Sequence, residues 1–341
     1  MRTTMLGSAG LQPFPVNDPI KGFAILQVSS TSDRPATKGF FMNAIPDGSH
    51  FRVAVVVASL GRPQLVAQMH HLMQEQTCRP DLLVFSVVSD ADIPAGYQDQ
   101  PDVQVLRGDK GLCAQRNRGL DHLGDRYDLI VFYDDDFVPS KDSIDRIKRF
   151  FAAHPDVVGA TGNVIRDGIK GPGIPLDVAR DLLAKHEKKD FSPNCIVTSL
   201  EGLYGCNMAY RASAIGECRF DERLRLYGWQ EDIDFASSLS ARGRIVKTFA
   251  FSGVHQGVKY GRTSGVRLGY SQVVNPIYLV RKGTMSIGFA ARLIARNVLA
   301  NHARALRPEP WIDRAGRTKG NWIAARDILL GRVLPERIEA L

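Results

Sequence analysis

Apolar residues gather along this chain in short unbroken runs, separated by stretches of helical spacing. The first strong run, RVAVVVASLGRP from Arg52 to Pro63, reads as a buried strand followed by a loop. LVAQMHHLMQEQ follows with Leu65, Met69, Leu72 and Met73 at helical intervals, and DLLVFSVVSD makes a second strand ending at Asp90. VQVLRG is a shorter third strand. Gly108 to Leu123 opens on a glycine turn and continues as a helix whose first turns carry Arg116, Asn117 and Arg118. Leu129 to Tyr133 is again continuous, mostly β-branched and aromatic, the pattern of a strand covered on both faces. Strand alternating with helix predicts a doubly wound α/β half.

Further along, HPDVVGATGNVI supplies another strand through Val157 to Val164, a Gly- and Pro-rich loop follows, and DVARDLLAKHEKK is a polar helix. In FDERLRLYGWQEDIDFASSLSARG, Ile233, Ala236, Leu239 and Ser240 form one helical face and Gly243 a stop. RIVKTFAFSGVHQ is one strand or a pair of short ones ending near His255. From Gln272 to Leu306, Arg281, Lys282, Arg292, Arg296 and Arg304 interrupt apolar clusters. A basic amphipathic helix is expected there, suited either to an anionic membrane face or to packing on the rest of the chain. Residues 1–50 hold several prolines among small polar residues and read as an irregular lead segment with one short strand at FAILQV. The expected division is therefore 1–50 irregular, 51–257 an α/β domain, and 258–341 a basic loop with a C-terminal helical extension.

A net charge of +8 over 341 residues favours an anionic partner. Aromatics are not interleaved with the basic residues as a base-stacking platform requires, so nucleic acid is not expected. The five cysteines are scattered without a CxxC pair, which argues against a disulfide scaffold or zinc site and for a reducing compartment. With no apolar leader and no bilayer-length apolar run, a cytoplasmic location is expected.

The candidate chemistry starts at the end of the Leu129 run, where Asp134, Asp135 and Asp136 stand side by side. Three adjacent carboxylates at the tip of a buried strand repel one another unless a cation or hydrogen-bond donors compensate. Asp134 and Asp136, two apart on extended backbone, point the same way and suit a hard divalent ion, with Asp135 turned aside. The alternative is acidic capping of the helix that follows. Arg116 sits near a helix start, where it suits a phosphate or ribose. Glu231 and Asp232 open another helix, which the helix dipole alone explains equally well. His255 is either structural or a ligand. GVKYGRTSG places Lys259, Tyr260 and Arg262 among glycines, as a cationic loop closing over a diphosphate would.

Taken together these blocks resemble the inverting glycosyltransferases of family 2, over residues 52–282. The resemblance implies a GT-A fold, a Rossmann-like mixed sheet flanked by helices. VVVASLGRP is similar to the first nucleotide-binding strand, with Ser59 and Arg62, and FSVVSD to the second, whose Asp90 would bind the base. KGLCAQRNRGL resembles the glycine loop and Ala-Arg-Asn helix, with Gly111 and Arg116. VFYDDDFVPS resembles the DxD segment: Asp134 and Asp135 facing nucleotide, Asp134 and Asp136 holding Mn2+ or Mg2+, His255 completing the shell. YGCNMAYR resembles the donor and acceptor segment, with Gly205 and Asn207. In the ED helix the resemblance assigns the base to Asp232, with Glu231 orienting the acceptor and Trp229 facing a sugar. SDADIP departs from the DDGS-type loop of many relatives, and Cys113 stands where a serine is common.

The implied activity is metal-dependent transfer from a nucleotide-sugar, a UDP-sugar by preference, to a saccharide or lipid-linked acceptor. Bacterial surface polysaccharide assembly, with peripheral contact at the inner face of the plasma membrane, fits that habit. Two other readings use some of the same residues: a nucleotidyltransferase releasing pyrophosphate, and a non-catalytic module binding membrane or nucleic acid through its charge.

Overall fold

Val53–Ala58 (β1) has no polar residue to turn outward, so it lies at the centre of a sheet with helices on both faces. The computed structural model describes residues 48–97, 100–186, 196–199, 202–261 and 263–341. The FAILQV strand and Arg262 lie outside the described residues. In chain order the elements after β1 are α1 (Pro63–Gln74), β2 (Leu82–Val87), β3 (Val103–Arg107), α2 (Leu112–Leu123) and β4 (Leu129–Asp134). Then come β5 (Phe137–Pro139), α3 (Ser143–Ala153), β6 (Val157–Asp167), α4 (Leu176–His186), β7 (Ile196–Ser199) and β8 (Asn207–Arg211). The short α5 (Ala212–Ile215), α6 (Glu231–Leu239) and β9 (Arg244–His255) complete the sheet half. Three helices follow: α7 (Gly265–Lys282), α8 (Ile287–Arg304) and α9 (Arg314–Leu329).

The sheet runs β3-β2-β1-β4-β8-β6-β9-β5, with β7 also paired to β9. β3, β2, β1 and β4 are parallel, as the alternation of strand and helix predicts. β8 runs antiparallel to β4, so Asn207 pairs with Tyr133 and the chain just before β8 arrives beside the carboxyl end of β4. β5 pairs antiparallel with β9, setting Phe137 opposite His255. Strand order reverses between β1 and β4, the place where open α/β sheets bind ligands.

Alternation divides the core between the two faces. Val53, Val55 and Val57 pack with α1 and α3. Ala54 and Val56 join Leu120 of α2, Phe235 of α6 and, from the C-terminal helices, Leu279, Ala290 and Leu293. The extension therefore closes one face of the sheet half. RIVKTFAFSGVHQ is one strand, β9, with irregular pairing to β6 that lets it curl.

The single helix expected across Gln272–Leu306 is two. Gly283 adopts φ 88° and ends α7, and the Ser286 hydroxyl accepts from the Phe289 amide to start α8. Among the described residues no helix is long and apolar enough to cross a membrane.

Phe251 of β9 is fully buried, with its ring 6.3 Å from that of Phe150 on α3. Phe251→Ala is expected to cost about 3–5 kcal/mol, read as a lower urea midpoint with an unchanged slope; a loss under 1 kcal/mol would contradict this packing.

Candidate active site

β4 ends in the three aspartates, and the side chains separate as period-two geometry requires. Asp135 turns to β1: Ser59 Oγ donates to it at 2.7 Å and Arg62 Nη1 at 2.9 Å. Burial lifts its pKa to about 6 against those two donors. Asp134, Asp136 and His255 face one another, each offering a ligand atom within 4.8 Å of the others. His255 Nε2 lies 3.2 Å from Asp136 and 4.0 Å from Asp134.

His255 is held from behind. Its Nδ1 is 3.0 Å from Asp167, and Tyr204 donates its hydroxyl to the same carboxylate at 2.8 Å. A carboxylate behind an imidazole fixes the ring so that the other nitrogen meets a metal. Burial opposes the charge of His255, but Asp136 and Asp167 outweigh it and hold its pKa up at about 10. Burial likewise opposes ionisation of Asp136, and His255 and the Val258 amide bring it down to about 2. Two carboxylate oxygens and one imidazole nitrogen fit Mn2+ or Mg2+ by donor chemistry.

Arg116 links this group to α6. It is 2% exposed; Nη1 donates to Glu231 at 2.5 Å, and Nη2 to Asp134 at 3.2 Å and to the Gly205 carbonyl at 3.0 Å. Burial works against its charge, yet Glu231, Asp134 and Asp232 together keep its pKa above the ordinary value. Asp232 accepts from the Gly205 amide at 2.8 Å and from the Ile233 amide at 2.8 Å. Burial pushes its pKa up, and those two amides oppose the shift. Arg116 therefore bridges Asp134, Glu231 and the Gly205 carbonyl, and the amide of the same glycine holds Asp232.

Residues 88–218 match the family model "Glycosyl transferase family 2". No curated protein sequence matches the chain. Among the solved structures that resemble it are the mannosyltransferase PcManGT from Pyrobaculum calidifontis in complex with GDP-Man and Mn2+, and residues 1–349 of TarS from S. aureus in complex with UDP-GlcNAc. PcManGT is 17% identical over 84% of this chain and 90% of its own, with a TM-score of 0.50. TarS is 15% identical over 85% of this chain and 83% of its own, also at 0.50. Over residues 88–218 the chain carries a glycosyltransferase family 2 domain. Its sheet and flanking helices are the GT-A fold.

Several of the expected site residues are engaged within the protein. Arg116, expected at a phosphate or ribose, is buried, and burial of its charge demands the carboxylate partners it has in Asp134 and Glu231. Its neighbours Asn117 and Arg118 are staples too, Asn117 to the backbone of Phe220 and Arg118 to Ser86 and Val87. Glu231, expected to orient the acceptor, is 5% exposed and accepts a hydrogen bond from Arg116. Burial pushes its pKa up to about 8, with the Asp232 charge adding and Arg116 opposing. Asn207 is fully buried and its side-chain amide has no hydrogen-bond partner among the described residues.

Asp90 is 80% exposed and ion-paired with Arg107 at 2.5 Å. Asp92 instead turns inward and accepts from the amides of Gly61 and Ser89, joining the loops after β1 and β2. Gly111, at φ 141°, opens α2. Arg62 also donates to the Tyr260 carbonyl at 2.8 Å, tying the 257–261 segment to the aspartates. Lys259 donates to the carbonyls of Gly168 and Ile169, 2.9 and 2.8 Å away. Trp229 is half-buried between two left-handed residues, Leu226 (φ 58°) and Gln230 (φ 77°). Backbone held there costs of order 1–3 kcal/mol per residue and needs support.

That support comes from the C-terminal helices. Asn275 of α7 donates to the Trp229 carbonyl at 2.8 Å, and Lys282 joins Asp221 and Asp234 at 2.8 and 2.7 Å. Asp167, Tyr204 and Asn275 are not marked as site residues by the sequence, nor is Gln115, whose amide donates to the carbonyls of Ser59 and Ser86. Of these only Asp167 carries a local sign, an acidic residue before glycine at a strand end.

Removing the positive charge while keeping the volume isolates the central ion pair. Arg116→Met is expected to lower stability by about 3–5 kcal/mol, because Glu231 stays buried without a partner. Adding Glu231→Gln should recover most of that loss; a double variant as unstable as the single would refute the pairing.

Proposed function

We propose that this enzyme transfers a sugar, with inversion, from a nucleoside-diphosphate sugar to a hydroxyl of a saccharide or lipid-linked acceptor. The observation that supports the reading is the junction at Arg116 and Gly205: Arg116 donates to Asp134 and to the Gly205 carbonyl, and the Gly205 amide donates to Asp232. Asp134, Asp136 and His255 would hold Mn2+ or Mg2+, and that ion supplies charge neutralisation to the diphosphate leaving group. GDP-Man with Mn2+ in PcManGT and UDP-GlcNAc in TarS support a nucleotide-sugar donor, and a UDP-sugar is the donor proposed.

An acceptor hydroxyl must lose its proton as it attacks the anomeric carbon. Asp232 takes that proton at a carboxylate oxygen, and its raised pKa makes it a better base than an exposed aspartate. Glu231 is a positioning residue that fixes Arg116 beneath Gly205. Asp135 orients Arg62 at the entrance, with Ser59 as its second donor. Lys259 and Arg262 bring further positive charge to the diphosphate, Asp90 contacts the base, Gly111 gives the phosphates close approach, and Trp229 faces a sugar. One base and one displacement give inversion, as in single-step glycoside chemistry. The reaction belongs at the inner face of the bacterial plasma membrane, in surface polysaccharide assembly.

Asp232→Asn is expected to lower turnover by about 10²–10⁴-fold while calorimetric affinity for the nucleotide-sugar stays within twofold; undiminished turnover would remove Asp232 from the role. A second expectation concerns protons. With the His255 pKa at about 10, a cation entering at neutral pH must displace its proton. Mn2+ affinity should therefore rise with pH, roughly tenfold per unit between about pH 6.5 and 9 for one displaced proton. Titration followed by electron paramagnetic resonance measures this, and His255→Gln should flatten the slope. An affinity independent of pH in the native enzyme would contradict the assignment.

A further inference from the structure

The outward faces of α8 and α9 carry a charge and apolar pattern that the transfer reaction does not use. On α9 the exposed positions Ala315, Lys319, Trp322, Arg326, Leu329 and Leu330 follow at helical intervals and form one stripe. Trp322 is 66% exposed and Leu329 87%, while the opposite face, with Asn321 and Ala324, is buried towards α7. Beside it, the end of α8 presents Leu299 and, just beyond the helix, Leu306, which is 92% exposed. The two elements meet where His302 sets its ring 5.8 Å from Trp322, and Ala305, Ile323 and Trp322 line a shallow apolar groove.

Cations frame this surface without anions to balance them. α8 contains no acidic residue, and the one in α9, Asp327, is buried and paired with Arg337. Arg304 is matched by Glu309. Arg292, Arg296, Arg307, Lys319 and Arg326 form no ion pair among the described residues, and all five are exposed.

We propose that the α8–α9 face is a docking surface for an anionic lipid bilayer. Indole and leucine side chains rimmed by guanidinium and ammonium groups match the boundary between acyl chains and anionic headgroups. A second copy of this chain placed face to face would set like charges against each other. Nucleic acid would leave the leucines without a partner. The inference deepens the reading of a lipid-linked acceptor, because Lys282 and Asn275 fasten the segment around Trp229 to the same helical extension.

The test is co-sedimentation of the full chain with vesicles of phosphatidylcholine alone or with phosphatidylglycerol, in the absence of any nucleotide. Binding to the anionic vesicles is expected, at least about tenfold weaker at 0.5 M salt than at 0.05 M because the Debye length shrinks. Lys319→Glu with Arg326→Glu should reduce binding by tenfold or more, and Trp322→Ala should reduce it with the melting temperature unchanged. If either variant melts early, Arg292→Glu with Arg296→Glu on α8 replaces it. Equal binding to both vesicle types, no binding, or binding indifferent to these variants overturns the proposal. So does a native dimer, seen by light scattering, that Trp322→Ala dissolves. Nucleoside diphosphate release, assayed separately, tests the transfer reaction and neither outcome of the vesicle experiment alters it.

Discussion

A buried guanidinium holds this site together. Arg116 lies beneath the cleft between Asp134, which ends β4, and Glu231, which opens α6, and it also grips the carbonyl of Gly205. Two like charges about 4 Å apart repel by about 4 kcal/mol at an effective dielectric near 20. Asp134, Asp135, Asp136, Glu231 and Asp232 could not share one region without compensation. Each has a definite opponent: Arg116 for Asp134 and Glu231, Arg62 for Asp135, His255 for Asp136, and two backbone amides for Asp232. A mobile metal or diphosphate could then exchange at the surface of this arrangement without the protein losing the charges that organise it.

Topology explains why those opponents meet. The parallel half leaves a crevice where strand order reverses between β1 and β4. Antiparallel β8 carries Gly205 to the edge of that crevice, and the β5–β9 pairing delivers His255 beside Asp136. The Trp229 segment depends on the extension, since the left-handed residues at 226 and 230 flank a tryptophan whose carbonyl is fixed by Asn275. Helices that look appended in sequence thus form part of the cleft's support.

Much of this was legible in the residues. The runs at Val53, Leu82 and Leu129 became parallel strands, because a strand covered on both faces needs uninterrupted apolar side chains. Asp135 turned away from its two neighbours, as alternation requires. What the chain did not disclose depends on distant partners. Arg116 and Glu231 each look like surface charges until the fold places one against the other. Asp167 reaches His255 across 88 positions, and Asn275 reaches Trp229 across 46, so no local pattern marks them. Asn207 resembled a sugar ligand by its neighbours in sequence, yet its place on β8 puts the side chain inside the sheet. The break between α7 and α8 rests on one glycine and one serine within a pattern whose helical period continues on both sides.

The proposed chemistry requires the Asp134–Asp136–His255 group and Asp232 to serve one displacement at an anomeric carbon. The most direct measurement is to identify the nucleotide product when the enzyme is offered a series of sugar nucleotides, with Mn2+ and then with a chelator. Release of a nucleoside diphosphate that requires the cation is the result predicted here. Release of pyrophosphate, or turnover indifferent to the chelator, would contradict it.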